Sequence, residues 1–176
     1  VRAHPDCITT RKPGVALDRI VLHTMEGTLA GSVAWATRSR AERAASFQRR
    51  LGGTLAGWMA DSRTYPTAAH YYIGKDGKVV QLVDDWQKCA HAGNYNSRSL
   101  GIEHEAKAGD PGAWTPLLLV TSARIVRVLC NKYDIPIDRT HIVGHNEVPG
   151  ATHTDPGKFF PWDEYLDLVA NAHVVG

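Results

Sequence analysis

Three short apolar runs, Ile20-Val21-Leu22, Leu100-Gly101-Ile102 and Ile142-Val143-Gly144, each lead directly into an ionisable side chain: His23, Glu103 and His145. Runs of this length, rich in aliphatic residues and closed by polar or glycine-bearing segments, read as short buried strands. They alternate with stretches of helical periodicity, so the expected fold is α/β, a central mixed sheet with helices packed against it. In such open sheets, ligands collect beyond the carboxyl ends of the strands, which is where His23 and His145 fall. Period-two alternation also puts Glu103 on the face opposite Leu100 and Ile102, and a carboxylate there requires an explanation.

The remaining elements fit around these strands. Residues 1–18 carry Pro5, Pro13 and Gly14 and suggest an irregular arm lying across one domain that spans 19–176. Ser32 to Leu51 reads as one amphipathic helix with Ser32 at its cap and its arginines on a solvated face. Residues 51–66 read as irregular, with Trp58 and Met59 packed. Ala69–Ile73 and Val79–Val83, joined through Asp76-Gly77, form a hairpin. Residues 86–98 show little periodicity and read as a loop. Thr115-Pro116 opens a helix that ends at Asp134-Ile135-Pro136, and residues 159–172 give a short closing helix.

The 176 residues suit a single domain, and no apolar run approaches the roughly 18 residues needed to span a bilayer, so membrane insertion is not expected. A formal charge of +2 is too small to argue for nucleic acid. Cys7, Cys89 and Cys130 lack any Cys-x-x-Cys spacing. Cys130 reads as a packed thiol, whereas pairing of Cys7 with Cys89 stays open. The chain starts at Val1 without a signal-like segment, which reads as a processed form or a domain cut from a longer protein.

The stretch from Gly144 to Gly157 places His145, His153 and Asp155 among glycines and prolines just past a buried strand. Such a segment serves either as a hydrated turn or as a loop that holds reactive groups. Two neutral imidazoles and a carboxylate make a catalytic zinc set with one position left for water, and His23, His145 and Asp155 are the candidates. His141 with His145 is a rival pair. On a strand their Cα atoms lie about 13 Å apart, too far for one ion, and Ile142, Val143 and Gly144 argue against a helix that would bring them together. His70 and His104 read as core or hydrogen-bonded groups, and His4 and His173 as bystanders.

The ordered pieces Ile20-Val21-Leu22-His23, Ala68-Ala69-His70-Tyr71 with Lys75-Asp76-Gly77, His91-Ala92-Gly93, Ser99-Leu100-Gly101-Ile102-Glu103 and Gly144-His145 with Thr154-Asp155-Pro156-Gly157 form a specific pattern. The chain resembles the zinc-dependent N-acetylmuramoyl-L-alanine amidases of the type 2 amidase and peptidoglycan recognition protein superfamily, phage endolysin domains included. The resemblance runs from about residue 19 to 162. It implies a mixed sheet with a zinc groove at the strand carboxyl ends, one Zn2+ held by His23, His145 and Asp155, and Glu103 beside the attacking water. Some relatives carry a tyrosine where Ala69 stands, which leaves Glu103 as general base. Many carry lysine two residues before the last ligand. His153 stands there instead, as a hydrogen-bond donor to the oxyanion, with activity more dependent on pH.

The resemblance implies hydrolysis of the amide between N-acetylmuramic acid and L-alanine in bacterial peptidoglycan, with Glu103 and His153 catalytic and His91 and Asn94 contacting substrate. A monomeric, bacteriolytic enzyme of the endolysin type is the expectation. Its rivals are a peptidoglycan-binding module without catalysis and a cytosolic amidase recycling anhydromuropeptides.

Overall fold

The computed structural model describes residues 1–173, so the last three residues of the expected 19–176 domain lie outside it. A five-stranded sheet forms the centre, built from β2 (Arg19–Thr24), β3 (Tyr71–Ile73), β4 (Val79–Gln81), β6 (Ser99–His104) and β7 (Ile142–Gly144) in the order β4-β3-β6-β2-β7. All neighbours run parallel except the β3–β4 hairpin, which makes the sheet mixed as expected.

Alternation sorts the strand residues onto two faces. Ile20, Leu22, Leu100, Ile102 and Ile142 point to one side, where α4 (Pro116–Tyr133) and α5 (Trp162–Asn171) cover them with Leu118, Val126, Tyr165 and Val169. These side chains are fully buried, and each contributes about 1.5–3 kcal/mol. His23, Glu103 and Tyr72 share the other face, which packs against loops and α1 (Leu29–Ala36) and carries the groove.

Three local expectations need correction. The segment 32–51 is two helices: α1 is capped by Thr28, and α2 (Arg40–Leu51) starts at Ser39 in a capping box with Glu42. Ser32 lies inside α1 and caps nothing. Residues 51–66 are not irregular throughout but hold α3 (Leu55–Ala60) and a 3-10 turn at Ser62–Thr64. The arm is more ordered than its prolines suggest, because β1 (Ile8–Thr10) pairs antiparallel with β5 (Gln87–Cys89), inside the segment read as a loop. The β3–β4 hairpin forms as expected through Asp76-Gly77: Gly77 takes a positive φ, of 79°, and Gly74 and Lys78 close a three-residue turn.

Buried Arg11 completes the arm's attachment. Its guanidinium donates to the carbonyls of Asp85, Asn96, Ser97 and Ser99 at 2.7–3.2 Å. It thereby holds the strand start at Ser99 and the loop before it against the arm. All three cysteines are buried free thiols.

Candidate metal centre and groove

Strand register assembles the centre. His23 pairs with Glu103 across β2 and β6, and Leu22 pairs with Gly144, so His145 emerges one step beyond β7 beside His23. The loop back brings Asp155 to the same point, tied by Asn146 N–H donating to the Asp155 carbonyl at 3.0 Å. The Asp155–Pro156 peptide is cis. His23 Nδ1 lies 3.1 Å from His145 Nδ1 and 3.1 Å from Asp155 Oδ2, and His145 Nδ1 is 3.3 Å from Asp155 Oδ1. A tetrahedral ion with ligand bonds of about 2.0–2.1 Å has donor–donor edges of about 3.3–3.4 Å, so this spacing fits one zinc-sized ion.

The tautomers support the same fit. Ser99 Oγ donates to the Tyr95 carbonyl at 2.6 Å, which leaves the Ser99 oxygen to accept from His91 Nε2–H at 3.3 Å. His91 Nδ1 is then an acceptor, and at 3.1 Å it takes the Nε2–H of His23. His23 Nδ1 consequently turns a lone pair toward a second imidazole and a carboxylate, an arrangement that a shared cation stabilises. On the far side of the sheet, His104 Nδ1–H donates to the His23 carbonyl at 2.8 Å. Its Nε2 accepts from Ser122, which in turn accepts from Tyr165. His104 is thus a satisfied core histidine, as its sequence position suggests.

Electrostatics separate the two carboxylates. Burial alone raises the Asp155 pKa, but the close contacts with His145 and His23 outweigh it and hold the group well below the usual range. Glu103 has no such donors. Burial, reinforced by Asp155 and Glu26, pushes its carboxyl up to about 8, and its buried Oε2 has no hydrogen-bond partner among the described residues. Burial lowers the pKa of His23.

A second set of metal-capable groups, His70, Cys89 and His91, lies behind the first. Its nitrogens are already engaged. His70 Nδ1 accepts from Gly101 N–H at 3.0 Å, its Nε2 meets the Gln87 carbonyl at 3.1 Å, and His91 faces His23.

Around the centre runs an open groove of about 1080 Å³, bounded by Trp35 of α1, Ala68, Asn94 and Thr152. His153 is exposed, with its ring stacked on His145 at 4.3 Å and its Nδ1 3.9 Å from Asp155. Asn94 stands at the rim and donates to the Pro149 carbonyl at 2.9 Å, joining the two loops that flank the groove. His91 lines the groove but directs its nitrogens to His23 and Ser99. Sequence reading missed Ser99 and Gly101. A Cβ at Gly101 would come within 2.5 Å of His91 Nδ1, so only glycine lets that ring lie flat over β6. The Ser-x-Gly-x-Glu alternation that sets Ser99, Gly101 and Glu103 on one face was the available signal.

These features define an α/β enzyme domain whose groove carries a two-histidine, one-carboxylate centre with a second carboxylate beside it. Residues 13–158 match the family described as N-acetylmuramoyl-L-alanine amidase, and the chain belongs to that family and is an amidase. It is 30% identical over 169 residues to N-acetylmuramoyl-L-alanine amidase A of Achromobacter lyticus, covering 85% of this chain and 81% of that one. It is 28% identical over 131 residues to the 1,6-anhydro-N-acetylmuramyl-L-alanine amidase AmpD of Haemophilus influenzae, covering 70% of each. A crystal structure of a selenomethionine AmpD derivative shares the fold with a TM-score of 0.71 at 22% identity, over 96% of this chain and 92% of that one.

Proposed function

We propose that the chain hydrolyses the amide joining the lactyl group of N-acetylmuramic acid to L-alanine in peptidoglycan or its fragments, with one zinc ion held by His23, His145 and Asp155. The observation that carries this reading is the convergence of two imidazole nitrogens and the Asp155 carboxylate, with contacts of 3.1–3.3 Å, next to the Glu103 oxygen that has no partner among the described residues. When bound, zinc supplies a water of lowered pKa, near ~7, and polarises the scissile carbonyl. Glu103 takes the proton from the attacking water and returns it to the leaving amine, a role suited to a carboxyl whose proton affinity is raised by burial. His153, at the open side of the centre, donates a hydrogen bond to the developing oxyanion. Asn94 lies where the stem peptide passes.

His91 is better explained as the partner that orients His23 than as a substrate contact. His91→Phe keeps an aromatic ring at the site but removes the acceptor for His23 Nε2–H. Zinc affinity, measured by chelator competition, is expected to fall about 10- to 100-fold.

The likeness to AmpD enzymes supports small anhydromuropeptides as substrate. The open groove favours a second reading, in which the wall polymer itself is cut in a lytic role. Mass spectrometry of digests decides between them, using purified anhydromuropeptide and intact sacculi in parallel. Faster release of stem peptide from the soluble substrate supports the first reading, and equal or faster release from sacculi supports the second. A zinc-loaded protein that binds walls and cleaves neither substrate overturns both, and a binding module stands.

A further inference from the structure

The α2–α3 hairpin contributes to neither the sheet nor the centre. None of its apolar side chains joins the hydrophobic cores, and α3, although composed of Leu55-Ala56-Gly57-Trp58-Met59-Ala60, buries no residue. It packs chiefly on α2 and on the turn that follows. The hairpin is nevertheless well built. Phe47 and Trp58 stack at 4.9 Å, Arg63 covers both rings, and the Trp58 indole donates to the Gly52 carbonyl at 2.6 Å, closing the tip. At its base, buried Arg43 donates to the carbonyls of Trp35, Tyr65 and Thr67, which fixes the hairpin beside the groove wall.

The tip is where charge and apolar surface meet. Residues 49–57 are exposed without interruption, and among them Leu51 and Leu55 are 61% and 44% exposed. Arg49 and Arg50 stand directly before Leu51. Between residues 38 and 63 there are six arginines against Glu42 and Asp61, a local excess of four positive charges in a chain whose net charge is +2. At the tip itself, exposed Arg49 and Arg50 set positive charge, unpaired among the described residues, directly beside leucines that water does not favour.

From this placement we infer that the hairpin tip docks on the surface of an anionic lipid bilayer, with Arg49 and Arg50 among the headgroups and Leu51 and Leu55 at the acyl boundary. A soluble polyanion would engage the arginines but has no use for the two leucines, whereas an anionic bilayer uses both. A rigid, closed tip suits this purpose, because little conformational freedom is lost on insertion.

The test is flotation of the whole protein with phosphatidylcholine vesicles, with or without phosphatidylglycerol. Binding is expected only to the anionic vesicles and is expected to weaken with salt. The pair Arg49→Ser, Arg50→Ser should lower partitioning about 30-fold, at roughly fivefold per basic side chain near an anionic surface. The pair Leu51→Ser, Leu55→Ser should lower it by roughly tenfold or more. Both variants alter exposed positions and should retain the wild-type melting temperature and amidase rate on a soluble muropeptide. Absence of binding, equal binding to neutral vesicles, or binding insensitive to the leucine pair overturns the inference. So does concentration-dependent self-association abolished by the leucine pair, which assigns the tip to a second copy of the chain.

Discussion

Glu103→Gln is expected to lower kcat by about 100- to 10,000-fold while zinc content and fold stay as in the wild type. The amide is isosteric with the carboxyl, so the packing of β6 is kept, and only the capacity to accept and return a proton is lost. Glu103 is suited to this experiment because its Oε2 makes no hydrogen bond whose loss would disturb the structure. Steady-state rates together with metal analysis of the same samples provide the readout. A zinc-loaded variant with wild-type turnover would show that another group moves the proton.

The same substitution has a signature in stability. In protein stripped of metal by a chelator, Glu103 holds its proton up to about pH 8, against an ordinary glutamate value of 4.5. Between those limits the folded chain binds more protons than the unfolded chain. Stability therefore falls as pH rises through the window, and the penalty is complete above it. Glu103→Gln removes this slope, so the stripped variant should outlast the stripped wild type at pH 8–9 and match it near pH 4. Zinc beside the carboxyl favours its charged form and flattens the wild-type slope.

Sequence made the centre legible to the extent that each of its parts ends a strand or follows one. His23, Glu103 and His145 stand at run ends, and rejecting a helix at Ile142-Val143-Gly144 was enough to exclude His141, which the structure places against Asp138 at 2.7 Å. The supporting shell was illegible for a different reason. Arg11, Ser99 and His91 act through contacts between segments far apart in sequence, and an arginine among prolines gives no local sign that it will be buried. The break between α1 and α2 did carry a signal, Ser39-Arg40-Ala41-Glu42, but the helix-favouring alanines and arginines on both sides mask it in any long window. The three-residue strands β1 (Ile8-Thr9-Thr10) and β5 (Gln87-Lys88-Cys89) lack the apolar run that marks β3, β4 and β7 at the same length.

Removal of the metal is expected to abolish amidase activity, and Zn2+ is expected to restore it. The stripped protein should also melt at a lower temperature. An ion present at about a thousandfold over its dissociation constant contributes about 4 kcal/mol, which for a domain of this size corresponds to roughly 8–16 °C. The basis is the geometry of the donors. His23 and His145 face each other with nitrogens 3.1 Å apart, and the carboxylate of Asp155 lies 3.1–3.3 Å from both. Without a cation, a proton must occupy this space, and only one of the two imidazole contacts is then satisfied. Acid should release the ion for the same reason, since protonation of an imidazole removes its lone pair. Among the described residues, Asp155 is the carboxylate that touches both rings, so the effect of Asp155→Ala on zinc affinity should exceed the roughly 10- to 100-fold loss expected for the outer partner His91. Titration of zinc against a chelator of known affinity ranks the variants. If Asp155→Ala binds zinc as tightly as the wild type, the ion is not held by these three side chains, and both the ligand set and the role of Glu103 beside it fail together.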